Sequence, residues 1–186
     1  MNRLTTLNPA NAAGKTKALF DAVEKKLGIV PNMMRTMGNS AALLEGCLNF
    51  GAALEKGRLG AKVAELIAVV VAESNGCDYC LAAHTYIGKN LLKIEADALS
   101  EARRGSGSDA RTDAILKFSK KLVNKRGQVS DVDFGDLKAA GVSEEEIAEV
   151  IGHVALNILT NYFNIAANTE LEFPKVESIA VDVVEG

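Results

Sequence analysis

Tryptophan is absent from this chain of 186 residues, proline occurs three times, and aromatic side chains make up only 5%. With few breakers and with alanine and leucine filling the apolar positions, propensity favours helix almost throughout, and an all-α fold is expected. Cysteine is scarce as well. Three residues are too few for a disulfide-stapled secreted scaffold, and in a reducing compartment a close pair points to redox chemistry or metal binding. Neither sign of charge prevails: 21 Lys and Arg against 24 Asp and Glu leave a net charge of -3. The charges are interspersed, so there is no basic footprint for nucleic acid or an anionic membrane. Residues 1–13 lack the charged start, apolar run and cleavage site of a signal peptide. No uninterrupted apolar stretch approaches the roughly 20 residues of a membrane span, and a cytoplasmic protein without a nucleic-acid or membrane partner is expected.

Hydrophobic residues at 48% and charged residues at 24% are ordinary for a globular protein, and no linker-like stretch divides the chain. Residues 1–186 are read as one helical domain with its motif core at 61–92. Apolar spacing predicts a helix over 15–27, stopped by Gly28 and Pro31. Ser40 caps a second that runs to about residue 56. The run 61–74 is rich in valine, but its length and the placing of Glu65 and Glu73 suit a buried helix better than a strand. After Asn75-Gly76 a helix is expected over 77–92, then others over 95–104, 109–125 and 133–140. Ser143 and Glu146 form a capping box for a last helix reaching residue 170.

The chemistry gathers at Cys77-Asp78-Tyr79-Cys80, with His84 four residues beyond the second thiol. At roughly 100° per residue, positions 77, 80 and 84 share a narrow arc of one helix face. A helix start favours a Cys77 thiolate through the dipole, while His84 at i+4 favours Cys80 as a hydrogen-bond partner or proton acceptor. These effects favour different thiols, so the order of attack stays open. Glu65 interrupts an apolar run one helix upstream; it is either an exposed face position, the commoner case for a glutamate, or a buried carboxylate that needs a partner and gains a raised pKa suited to proton transfer. Glu73, near the helix end, reads as an exposed position.

Two other readings of the dithiol stand beside redox work. The cysteines can be buried small hydrophobes, or Cys77, Cys80 and His84 can hold zinc with Cys47 or His153 as fourth ligand. The spacing is unusual for a zinc knuckle and no second cysteine pair exists. No metal and no cofactor are therefore expected.

Glu65, Cys77, Cys80 and His84 together resemble the alkylhydroperoxidase D and carboxymuconolactone decarboxylase superfamily. The likeness is strongest over 61–92, where Ala64-Glu65-Leu66-Ile67-Ala68 leads into Asn75-Gly76-Cys77. The segment 27–32 and Asn161-Tyr162-Phe163 are similar to its peroxidase-related branch. The resemblance implies a helical homo-oligomer, a trimer or a hexamer, that reduces organic hydroperoxides without haem or metal. It implies that Cys80 is oxidised to a sulfenic acid, that Cys77 donates a proton and resolves it, and that Glu65 and His84 form the proton relay. A thiol or dithiol reductant reopens the disulfide. One position departs: the hydroperoxidase relay has a histidine between the cysteines, and this chain has Tyr79, a poor base with a hydroxyl that can still donate. Decarboxylase members do not depend on the dithiol, so its presence argues for redox work; a lactone decarboxylase, a disulfide reductase, or a non-enzymatic redox sensor or zinc-binding oligomer remain as alternatives.

His153, Asn157, Asn161, Asn164 and Asn168 recur at helical steps on the last helix. The stripe is either a solvated face, the first expectation, or a buried network near the dithiol or a subunit interface. Cys47 reads as packing, and Met33, Met34 and Met37 as core filling or an apolar wall for a hydroperoxide tail. The final residues carry Ile179, Val181, Val183 and Val184, apolar enough to pack on a neighbouring subunit.

Overall fold

The structure is a computed structural model that describes residues 2–177 and 179. Among them are nine α-helices: α1 (Gly14–Leu27), α2 (Asn32–Met37), α3 (Ala41–Leu54), α4 (Ala61–Asn75), α5 (Asp78–Asn90), α6 (Ala96–Arg104), α7 (Ala110–Asn124), α8 (Asp131–Ala139) and α9 (Glu144–Ala167). The all-α expectation holds. Local chemistry sets most of the ends. Ser40 Oγ accepts from the Leu43 N–H at 3.2 Å to open α3, and Ser143 with Glu146 opens α9 through the expected capping box. Gly28 closes α1 at φ 78°, a left-handed conformation that glycine adopts without steric cost.

α4 is the hub. Ile67, Val69, Val70, Val71 and Ala72 are wholly buried, because α5, α6, α7 and α9 all pack around this helix. Burying a valine or isoleucine side chain contributes about 1.5–3 kcal/mol, which outweighs the few tenths by which β-branching disfavours helix. A second cluster of Phe20, Met37 and Leu44 joins α1, α2 and α3, and Cys47 packs against it.

Three expectations change. Pro31 does not simply end the first helical region; it occupies the N-cap of α2, where its fixed φ is compatible with a new helix. The eighth helix begins at Asp131 rather than Asp133, since Ser130 caps it and Asp133 supplies the carboxylate of a second capping box. Glu73 is not exposed: it is buried, ion-paired with Arg103 at 2.7 Å, and accepts from the Ile179 N–H. The long apolar tail otherwise lies outside the described residues.

By length and composition α9 is long and apolar enough to cross a membrane. It packs against α4, α7, α3 and α5 with Val150, Val154 and Ala167 buried, and its outward residues include Ile151, Leu159, Tyr162 and Ile165.

Candidate active site

The dithiol sits at the junction between α4 and α5, and the junction is made by backbone geometry. Gly76 takes a left-handed conformation, φ 65° and ψ 36°. That lets the Cys77 N–H turn back onto the Ala72 carbonyl at 3.0 Å, closing α4. Cys77 is in turn the N-cap of α5, its Sγ accepting from the Cys80 N–H at 3.3 Å. A thiol thus does the work of a serine cap, and it is aimed at the sulfur one turn along.

The two sulfurs lie 2.6 Å apart, with Cys77 donating to Cys80, and both cysteines are free and buried. The Cys77 hydrogen bond holds the Cys80 thiol below the ordinary range against the opposing effect of burial, with help from Asn164 and Asn161. Cys77 moves the opposite way. Its hydrogen bond to Cys80, its burial and the Cys80 charge all push its pKa upward. The two thiols are pushed in opposite directions, Cys77 towards its protonated form and Cys80 towards thiolate, so the surroundings favour the second of the two competing effects seen in the sequence.

His84 does not turn to Cys80 as its i+4 spacing suggests. Its Nδ1 faces Glu65 Oε1 at 2.9 Å, with both side chains mostly buried. Burial works to lower the imidazole pKa, but the Glu65 charge and hydrogen bond, together with Cys77, raise it on balance. The pair interacts with Cys77 through charge. Glu65 therefore has the partner that its place in an apolar run requires.

The Tyr79 hydroxyl is held by partners outside the dithiol. It accepts from the Met33 N–H at 3.1 Å and donates to Glu172 at 2.8 Å, and the ring meets Phe173 edge-on at 5.9 Å. Glu172 also accepts from the Asn32 N–H, so Tyr79 ties the start of α2 to the segment that follows α9. Tyr79→Phe is expected to lose about 1–2 kcal/mol of stability by leaving these groups short of partners, while dithiol chemistry stays within about twofold. Thermal unfolding beside single-turnover oxidation checks this; a large kinetic loss without destabilisation would place Tyr79 in the relay.

The polar stripe on α9 is a buried network, not the solvated face first expected: His153, Asn157, Asn161 and Asn164 are buried, and only Asn168 at the helix end is exposed. Asn164 Nδ2 donates to Cys80 Sγ at 3.2 Å, a bond spanning 84 residues of sequence. The stripe was visible in the sequence, but its contact with the sulfur was not. A cavity of about 310 Å³ opens beside the site. Gly76, Cys77, Tyr79, Asn164, Leu171 and Lys175 are among its walls, so Cys77 is the sulfur facing it.

Among the described residues no three His, Cys, Asp or Glu side chains are placed to hold a metal ion. Cys47 belongs to the other packing cluster, where burial raises its pKa. His153 is buried on α9 with its pKa lowered by burial.

Residues 41–121, which contain Glu65, the dithiol and His84, match the carboxymuconolactone decarboxylase family. No curated protein matches the chain. Among solved structures, an uncharacterized peroxidase-related protein from Ralstonia eutropha JMP134, described as an alkylhydroperoxidase AhpD core, is 22% identical with a TM-score of 0.82 over 92% of each chain. A peroxidase-related protein from Silicibacter sp. TM1040 is 24% identical with a TM-score of 0.79 over 91% of each chain. The debrominase Bmp8 is 20% identical with a TM-score of 0.77, again over 91% of each chain. These likenesses establish a shared fold, and the family match over residues 41–121 supports a resemblance of the dithiol region to the alkylhydroperoxidase D and carboxymuconolactone decarboxylase superfamily.

Proposed function

We propose that this protein is a thiol-dependent peroxidase that reduces organic hydroperoxides through the Cys77–Cys80 couple. The observation that carries the reading is the Cys77 thiol donating onto the Cys80 sulfur at 2.6 Å, a contact that favours the Cys80 thiolate. In that state Cys80 attacks the distal peroxide oxygen; a sulfur–oxygen bond forms, the oxygen–oxygen bond breaks, and the alkoxide leaves. His84, kept protonated to higher pH by Glu65, supplies the proton that makes the alcohol. Cys77 then attacks the Cys80 sulfenic acid, forming the disulfide and releasing water. An external thiol attacks Cys77, the sulfur that lines the cavity, and Cys80 departs as the better leaving group. Two reductant thiols become one disulfide as the hydroperoxide becomes alcohol and water. A reducing cytosol suits such a couple.

The test is thiol alkylation followed by mass, before and after one equivalent of cumene hydroperoxide. Wild type is expected to lose two alkylatable thiols, and Cys77→Ser to accumulate a sulfenic acid on Cys80. Cys80 alkylation should persist to lower pH than that of Cys77, because a thiol with a lowered pKa loses its thiolate only when pH falls below that lowered value. Thiols that stay unreacted would overturn the reading. The fold shared with a debrominase favours a second reading, reduction of an activated carbon–halogen bond by the same dithiol; bromide release from a brominated pyrrole without hydroperoxide turnover would select it.

The reading extends to a homo-oligomer, a trimer or a hexamer. The outward face of α9 exposes Ile151, Leu159, Tyr162 and Ile165, an apolar strip that a second copy can cover. Light scattering that finds only the 19.7 kDa chain would remove this part.

A further inference from the structure

We propose that Asn161 and Asn164 form a two-amide cradle for the negatively charged Cys80 sulfur, and that Asn75 is the positioning residue that sets the polarity of this cradle. The proposal rests on Cys80 being the redox thiolate but is indifferent to which oxidant it meets.

The two asparagines stand three residues apart on α9, on the face that meets the dithiol. Asn164 makes the direct contact, its Nδ2 donating to Cys80 Sγ at 3.2 Å. Asn161 is wholly buried. Its Oδ1 accepts from Asn75 Nδ2 at 3.0 Å, and an amide has a single carbonyl end, so this bond commits the Asn161 NH2 group to the other side. That Nδ2 has no hydrogen-bond partner of regular geometry. A buried amide nitrogen without a partner is costly, and the Cys80 sulfur, held by Asn164 one turn along the same helix, is the acceptor we assign to it; both amides act to lower the Cys80 pKa.

The arrangement supplies what α5 alone cannot. Cys77 occupies the N-cap, where backbone N–H groups converge, and Cys80 lies one turn inside, where the helix dipole helps less. The charged and titratable groups around the dithiol are the Cys77 thiol, the Glu65–His84 pair from α4 and α5, Tyr79 with its partner Glu172, and Asp78 and Lys175 at the cavity. α9 presents neutral amides to the sulfur, so the cradle stabilises the anion without adding a cation whose own titration would follow pH. When a reductant thiolate bonds to Cys77 and the Cys77–Cys80 bond breaks, the electron pair goes to Cys80. The same two amides receive it.

The experiment is iodoacetamide alkylation against pH, followed peptide by peptide so that Cys80 is read separately from Cys77 and Cys47. Asn164→Ala is expected to raise the Cys80 midpoint by about one pH unit, a roughly tenfold loss of thiolate well below the midpoint. Asn75→Ala, at a half-buried site, should move it in the same direction by less, since Asn161 is then free to turn its carbonyl towards the sulfur. Asn157→Ala, one turn away and bonded to the His153 carbonyl, should leave the midpoint in place. If Asn164→Ala fails to fold, Asn75→Ala carries the test. Unmoved midpoints in variants that still unfold cooperatively would overturn the cradle. Shifted midpoints in a protein that reduces no hydroperoxide would leave the cradle standing and remove the peroxidase; the converse result would do the reverse.

Discussion

Cys80→Ser is expected to abolish hydroperoxide turnover, by at least about a thousandfold, while the fold survives. Serine is close to cysteine in shape, and the backbone contacts at the α4–α5 junction run through Gly76 and Cys77 rather than through the Cys80 side chain. What disappears is the anion. A serine hydroxyl in this pocket stays protonated at neutral pH, and the Cys77 and Asn164 donors then face a group that cannot use them as a thiolate does. Cys77→Ser differs in kind: it keeps the first oxidation of Cys80 but cannot close the disulfide, so it gives one turnover and then stops. Steady-state peroxide consumption with a dithiol reductant, beside circular dichroism, measures both. Turnover within tenfold of wild type in Cys80→Ser would end the assignment of Cys80 as the attacking sulfur.

The largest effect on stability should come from Arg103→Ala. Arg103 Nε donates to Glu73 Oε2 at 2.7 Å with the two side chains only 15% and 5% exposed. It also donates to the Glu177 carbonyl, while the other Glu73 oxygen accepts from Ile179 at 2.7 Å. Removing the guanidinium strands a carboxylate in the core and unties the segment after α9. Breaking a buried pair from one side costs about 3–5 kcal/mol. For a chain of this size that lowers Tm by roughly 10 °C. Replacing both partners, Glu73→Leu with Arg103→Leu, should recover much of the loss because no charge is left unpaired. Calorimetry on the single and double variants decides it, and a single variant that melts like wild type would show that water reaches Glu73.

Features that depend on neighbours within one helical turn were legible from the residues alone. Ser40, Ser143 and Glu146 announce helix starts because a cap closes over three residues. The triplet Cys77, Cys80 and His84 announces shared position because 3.6-residue periodicity puts these side chains on one face. The heavy valine content of α4 did not mislead, since the run is too long for a typical strand and its polar positions fit a helix. The capping box at Ser130 and Asp133 was within the same reach, but aspartate replaces the more familiar glutamate there.

What depends on pairs distant in sequence was not legible. Glu73 looked exposed because a helix end usually is, and only α6 and the segment after α9 bury it. Tyr79 was legible as a poor base with a hydroxyl able to donate, but the place of that hydroxyl between Met33 and Glu172 was not. By itself the sequence determined the helices other than α2, the closeness of the two thiols and the need of Glu65 for a partner. Only the tertiary structure decided which thiol the surroundings push towards thiolate. Asn164 reaches Cys80 from another helix, and a hydrogen bond across 84 residues leaves no periodic trace in the chain, because it is packing between helices rather than the repeat within one that brings its partners together.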